Sequence, residues 1–343
     1  MAKKLGKQTI MFNGVGIIDG YSIAGDKEAK GNFGKYFDEI FLDDKLKQKT
    51  FEKAERKMIE CAVSGLFNKT KMSNSKIDAM IGGDLLNQIV STSFTARDMQ
   101  IPLLGVYGAC STMAESLLVG ATFIDSGALD NAVCVTGSHF SSAERQYRFP
   151  LELGNQRPPT SQWTVTAAGA TLLSNNVTSG PYIVSGTIGK VIDFGVKDVN
   201  NMGAAMAPAT VDCVVTHLKN SNTKPEDYDL ILTGDLGKLG SEIFIDLMGY
   251  NGYKKIKNYK DCGHMIFDCN QKTFQGGSGA GCSASVLNSY VIKKLKQKKL
   301  NNVLFVATGA LLSTTTSQQG ESIPGIAYAI HISNNKGVLK CGG

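Results

Sequence analysis

No glycine cluster in the 343-residue chain both follows an apolar strand and opens a helix with the Gly-x-Gly-x-x-Gly spacing of a dinucleotide site. No Walker-type phosphate loop is present either, so neither common nucleotide-binding mode is expected. Histidine is scarce, at four residues. Cys262, His264 and Cys269 fall close together, but nothing completes a four-ligand zinc pattern, and no metal site is expected. The first ten residues, MAKKLGKQTI, contain no apolar run of signal-peptide length. The eight cysteines are scattered, and some, such as Cys134 in NAVCVTG, lie inside apolar runs. Reduced thiols in a cytoplasm-like compartment are therefore expected. The stretch from Ile101 to Ile124 is weakly polar, but Glu115 and glycines at 105, 108 and 120 interrupt it. It divides into a buried strand and a buried helix, not a membrane span.

The chain does have the material for a large core. Its composition is 42% hydrophobic and 19% charged, that of a soluble globular protein of one large or two ordinary domains. Its 38 glycines occur singly and in short clusters, as tight turns and close backbone approaches require. The net charge of +6 is spread along the sequence. The one dense basic run, Lys293 to Lys299, closes an apparent helix, where cations suit the macrodipole. A solvated helix end is the expectation there, with an anionic membrane surface as the alternative. Nucleic acid is not an expected partner, because no aromatics interleave with the charges.

The sequence also repeats itself. IDAMIGGDL (77–85) matches YDLILTGDL (228–236) at an offset of 151 residues, each an apolar strand running into Gly-Asp-Leu. DNAVCVTGS (130–138) matches NNVLFVATGA (301–310), and AGATLLSNN (168–176) matches GIAYAIHISNN (325–335). Cys110 and Cys282 each precede a serine and a helical stretch, 27 residues before Gly137 and Gly309 respectively. Four matched elements in one order predict two copies of an α/β unit, residues 1–180 and 181–343. Within the first copy, Phe51, Ala54, Met58, Cys61, Ala62 and Leu66 lie on one stripe of a helix over 46–66, which leads into a strand over 77–82. A mostly apolar helix over 111–126 is buried on most sides. Two such halves around buried central helices give a five-layer α-β-α-β-α arrangement.

Cys110, in GACSTMAES, stands where a strand turns into a helix. A helix N-terminus lowers a thiol's pKa and binds anions, so the position suits either a nucleophile or an anion site. His139 directly follows the second strand of the first half, at the carboxyl end where doubly wound sheets collect ligands. Arg145 and Arg148 follow closely, with Tyr147 between them. Two guanidiniums beside a histidine suit a small planar dianion, and an ion pair at the surface or a dimer interface is the alternative. His217 and His331 read as structural. Asp84 and Asp235, at equivalent repeat positions, are expected to cap helices or hold the halves together.

The duplicated halves, the GACS turn opening a buried helix, and FQGGSGAGCSA in the second half resemble the thiolase and ketoacyl-synthase superfamily. The resemblance covers essentially the whole chain. It sharpens at GGDLLNQ, AERQYRFP, AMAPA, LILTGDL, DCGHMIF and VATGALLS, a set similar to the stage V sporulation protein AD family of the SpoVA system. It implies a thiolase-like fold, the superfamily's homodimer and no cofactor. It also implies binding of dipicolinic acid, together with calcium, for uptake into the developing spore and release at germination. Other SpoVA proteins would supply the membrane channel, with this chain held peripherally at the inner spore membrane. The ligand set carried over is Cys110, His139, Arg145, Arg148, His264 and Ser278. The alternative is a cysteine-dependent acyltransferase, with Cys110 as nucleophile and His264 as base. Against it, Ser278 stands where a ketoacyl synthase would offer asparagine. A scaffold with a vestigial pocket is the third reading.

Overall fold

The computed structural model describes residues 2–147 and 156–336. Ten strands carry the architecture: β1 (Thr9–Gly25), β2 (Ala79–Gly83), β3 (Leu103–Gly105), β4 (Asn131–Ser138), β5 (Ala167–Ser174), β6 (Tyr182–Ile188), β7 (Leu230–Thr233), β8 (Tyr259–Asp261), β9 (Asn302–Ala310) and β10 (Gly325–Ser333). Seven helices matter to the site: α1 (Phe51–Thr70), α2 (Val90–Met99), α3 (Thr112–Asp125), α4 (Phe140–Tyr147), α5 (Met202–Ser221), α6 (Gly237–Tyr250) and α7 (Ala280–Val286). Helix α7 continues through a π-helical turn, Leu287–Val291, into Ile292–Lys296.

The strand order is β8-β7-β9-β10-β6-β1-β5-β4-β2-β3, and it reads as the same five-strand arrangement twice. In each half three strands run parallel (β3, β2 and β4; β8, β7 and β9), and the fourth, β5 or β10, is antiparallel to its neighbours. The halves meet where β1 and β6 pair antiparallel. Helix α1 packs on β1, β4 and β5 outside the first half, and α5 packs on β9 and β10 outside the second. Helix α3 lies between the halves, against β2 and β4 on one side and β9 and β10 on the other. Helix α7 joins it in the central layer, against β4 and β5. This is the duplicated five-layer arrangement expected from the repeat, and α1 and α5 keep its 151-residue offset.

Local chemistry explains the element ends. Helix α1 starts at Phe51, not 46, because Leu46 and Lys47 take left-handed backbone angles. Thr50 then caps it by accepting the amide N–H of Lys53 at 3.3 Å. Ala54, Met58, Ala62 and Leu66 form its buried stripe, while Phe51 and Cys61 are half-buried. The stretch from Ile101 departs from expectation at its strand: among the described residues β3 is the edge of the sheet, bonded only to β2, and Leu104 is 38% exposed. Helix α3 is buried as expected, and among the described residues no helix is long and apolar enough to cross a membrane.

The basic run after α7 clamps one half to the other. Lys293 pairs with Asp38 at 3.1 Å and Lys296 with Asp19 at 2.6 Å. Lys294 lies over the rings of Tyr36 and Tyr290. His217 and His331 are buried core groups, as expected, around Tyr228.

Candidate functional site

Strand β3 ends at Gly105, and the chain then turns sharply into α3. Ala109 takes φ +52°, an unusual angle for a residue with a Cβ, and Cys110 follows in a single 3-10 turn. The turn is internally satisfied: Ser111 Oγ donates to the Gly108 carbonyl at 2.6 Å and Thr112 Oγ1 to that of Ala109 at 2.7 Å. Asp235 arrives from the other half, just past the carboxyl end of β7. Its Oδ2 accepts the Gly279 N–H at 2.8 Å and the Ser278 hydroxyl at 3.3 Å, and the Cys110 thiol lies near the carboxyl. Ser278 is placed by a short parallel pairing of Gly277–Ser278 with Trp163–Thr164, which sets Ser278 beside Thr164.

Ala109, Cys110, Thr164 and Ser278 line a pocket of about 490 Å³, a figure that counts the solvent-open space at its mouth. Leu85, Met202, Met206 and Leu312 supply apolar wall, while Cys110, Tyr107, Tyr147, Thr164 and Ser278 supply hydroxyls and a thiol. No charged side chain belongs to the lining among the described residues. The Tyr107 and Tyr147 hydroxyls bond each other at 3.0 Å, and Tyr147 also bonds the Leu85 carbonyl. Both tyrosines and Leu312 also line a wider, more polar outer cleft formed with Asn87, Gln88 and Ser313.

Electrostatics decide what Cys110 can do. Burial pushes its thiol well above the ordinary cysteine value, and the adjoining Asp235 carboxyl pushes the same way. The helix-start environment does not reverse this, so the expected lowering is not found and Cys110 is held as a neutral thiol. Burial also raises Asp235, to about 7, although the Gly279 N–H, the Cys110 thiol and the Ser278 hydroxyl stabilise its charged form. Asp261 adds to the rise.

Of the expected site residues, the structure brings Cys110 and Ser278 together. His139 is fully buried but engaged elsewhere: Nε2 bonds the Asp44 carbonyl at 2.7 Å, Nδ1 accepts the Ser141 N–H at 3.1 Å, and the ring packs on Phe51. It follows β4 as anticipated, but both ring nitrogens are used away from the pocket. Arg145 pairs with Glu52 at 3.0 Å and lies over Phe51, the surface ion pair held as the alternative. Arg148 lies outside the described residues. His264 is exposed in a different cleft with Asn32 and Lys238, because Asp261 caps its short helix by accepting the His264 N–H at 2.8 Å. A Cys110–His264 catalytic pair is therefore not assembled. Cys282, the repeat partner of Cys110, is core, with its thiol against the Gly234 carbonyl.

Asp235 is the residue whose place at the site sequence reasoning missed. The Gly-Asp-Leu repeat did single it out together with Asp84, and the two fulfil different halves of that expectation. Asp84 accepts the N–H and hydroxyl of Thr92 at 2.7 and 2.8 Å and so secures the start of α2. Asp235 joins the halves at Cys110. Among the described residues, no group of three or more histidines, cysteines or acids could hold a metal ion.

The layers and the strand-to-helix cysteine define a thiolase-like fold, and solved structures agree. The 3-oxoacyl-[acyl-carrier-protein] synthase III of Aquifex aeolicus VF5 is similar at TM-score 0.58 and 12% identity, covering 93% of this chain and all of that one. Human mitochondrial 3-ketoacyl-CoA thiolase is similar at TM-score 0.55 and 13% identity, covering 94% of this chain and 98% of that one. Within this class the chain belongs to the Stage V sporulation protein AD (SpoVAD) family, whose model matches residues 6–333. The Stage V sporulation protein AD of Bacillus subtilis (strain 168) is 43% identical over 330 residues, 96% of this chain and 97% of that protein. The membership supports a role in sporulation.

Proposed function

We propose that this chain binds dipicolinic acid, pyridine-2,6-dicarboxylate, as its calcium chelate in the Cys110 pocket, for uptake into the developing spore and release at germination. The observation that carries the reading is the lining: apolar walls with hydroxyl and thiol donors and, among the described residues, no charged side chain. Burying an unpaired dianion there would be costly, whereas the one-to-one calcium chelate is flat, aromatic and neutral overall. Family membership supports the sporulation setting. In this reading the chain acts as a homodimer, peripheral to the inner spore membrane, and passes its ligand to SpoVA membrane partners.

The acyltransferase reading has less support. Its nucleophile would be a thiol held protonated, and its base stands in another cleft. Calorimetric titration with dipicolinate, with and without calcium, tests the proposal; saturable binding strengthened by calcium is expected. Incubation with acetyl-CoA and malonyl-CoA tests the alternative. A stable mass increase on Cys110, with no dipicolinate heat, would overturn the proposal.

A further inference from the structure

The carboxyl of Asp235 is fully buried, yet only one of its oxygens has conventional hydrogen-bond donors. Oδ2 takes the Gly279 N–H and the Ser278 hydroxyl, while Oδ1 has no hydrogen-bond partner among the described residues. Beside the carboxyl are the Cys110 thiol from the turn before α3, Asp261 from the end of β8, Cys262 just after it, and Cys282 in α7. Gln162 reaches only the backbone carbonyl of Asp235, at 2.7 Å. None of these neighbours is a cation; the pocket-lining Ser278 hydroxyl bonds the carboxyl, and the pocket-lining Cys110 thiol lies near it. A charge on Asp235 is thus felt in the pocket with little water to screen it.

We propose that Asp235 is the positioning residue that sets the charge of this pocket: ionised, it holds Cys110 as a neutral thiol and repels a carboxylate ligand, and protonated, it admits that ligand. Occupation of the pocket by a free dicarboxylate therefore takes up one proton from solvent, which ends on the Asp235 carboxyl. The ligand's identity rests on the reading above; the control of Cys110 by Asp235 does not. Burial already raises this carboxyl to about 7, so the switch operates across neutral pH.

The first test is the affinity for calcium-free dipicolinate, a dianion throughout, between pH 6 and pH 8.5, read by the fluorescence of Trp163, the one tryptophan, next to pocket residue Thr164. The wild-type protein should lose about 30-fold in affinity over that range, and Asp235→Asn, permanently neutral, should lose almost none. Calorimetry in two buffers of different ionisation enthalpy should show close to one proton taken up by the wild type at the alkaline end, a result that needs no variant. A flat wild-type profile, or the same slope in both proteins, would overturn the proposal. A second arm uses no ligand. Iodoacetamide should alkylate Cys110 at pH 8 about tenfold faster in Asp235→Asn, because the carboxylate no longer opposes the thiolate. An unchanged rate would refute Asp235's control of the pocket. Absence of dipicolinate binding at every pH, with the alkylation effect intact, would refute only the ligand assignment.

Discussion

Gly309 on β9 packs against the carbonyl of Gly108, two residues before Cys110, so closely that a Cβ on Gly309 would overlap it. The left-handed turn at Ala109 and the central layer are thus fitted to a bare backbone from the opposite half. Gly309→Ala should destabilise the protein by about 1–3 kcal/mol and weaken ligand binding, because the turn bearing Cys110 must move. Gly249→Ala, inside α6 with nothing near its added methyl, should be neutral or stabilising by up to about 1 kcal/mol. Thermal and denaturant melts of the two variants check the contrast.

Cys269 and Cys110 should differ sharply as thiols. Cys269 is exposed, whereas Cys110 is buried against a carboxyl that opposes its ionisation. Brief iodoacetamide treatment at pH 7 should label Cys269 first, with Cys110 at least about tenfold slower. Peptide mass spectrometry reads both sites. Faster labelling at Cys110 would identify an activated nucleophile.

Arg145→Ala should leave ligand affinity within about twofold, because its guanidinium is committed to Glu52 at the surface. A large loss would return this arginine to the site.

Buried histidines give a signed pH effect. Burial lowers His217 to about 4 and His331 to about 3, with His217 contributing to the latter. The unfolded chain protonates near 6.5, so the stability these neutral rings provide is complete above that value and is lost as pH falls through the folded values. Glu28 and Asp235, raised to about 7 by burial, titrate with the opposite sign, and their stabilising contribution fades as pH rises. The clean observable is a difference. His217→Gln should gain about 2 kcal/mol relative to wild type on going from pH 7.5 to pH 5, measured by denaturant unfolding. No relative gain would show that His217 is not buried neutral.

The duplicated α/β plan was legible because each strand ends in a recognisable string: Gly-Asp-Leu after β2 and β7, Ser-Asn-Asn after β5 and β10. The turn at Cys110 was legible for the same reason. The pocket was harder, because residues adjacent in sequence to a strand end need not face the same cavity. His139 follows β4 as expected, yet its ring turns toward Asp44 and Phe51. His264 stands near Asp261 in sequence, yet the cap on its short helix leaves it in another cleft. Asp235 carried a sequence signal through its repeat, but only folding brings it from the second half to Cys110. Met202 and Met206 line the pocket as one face of α5, a spacing that looks like ordinary core packing in sequence.

The most direct measurement is protection of Cys110 by ligand. Alkylation of Cys110 and Cys269 is followed in one sample, with and without saturating dipicolinate and calcium. The account predicts at least about fivefold slower labelling of Cys110 with Cys269 unchanged, since only Cys110 lines the pocket. Equal labelling of Cys110 with and without ligand, under conditions where calorimetry shows binding, would place the ligand elsewhere and contradict the account.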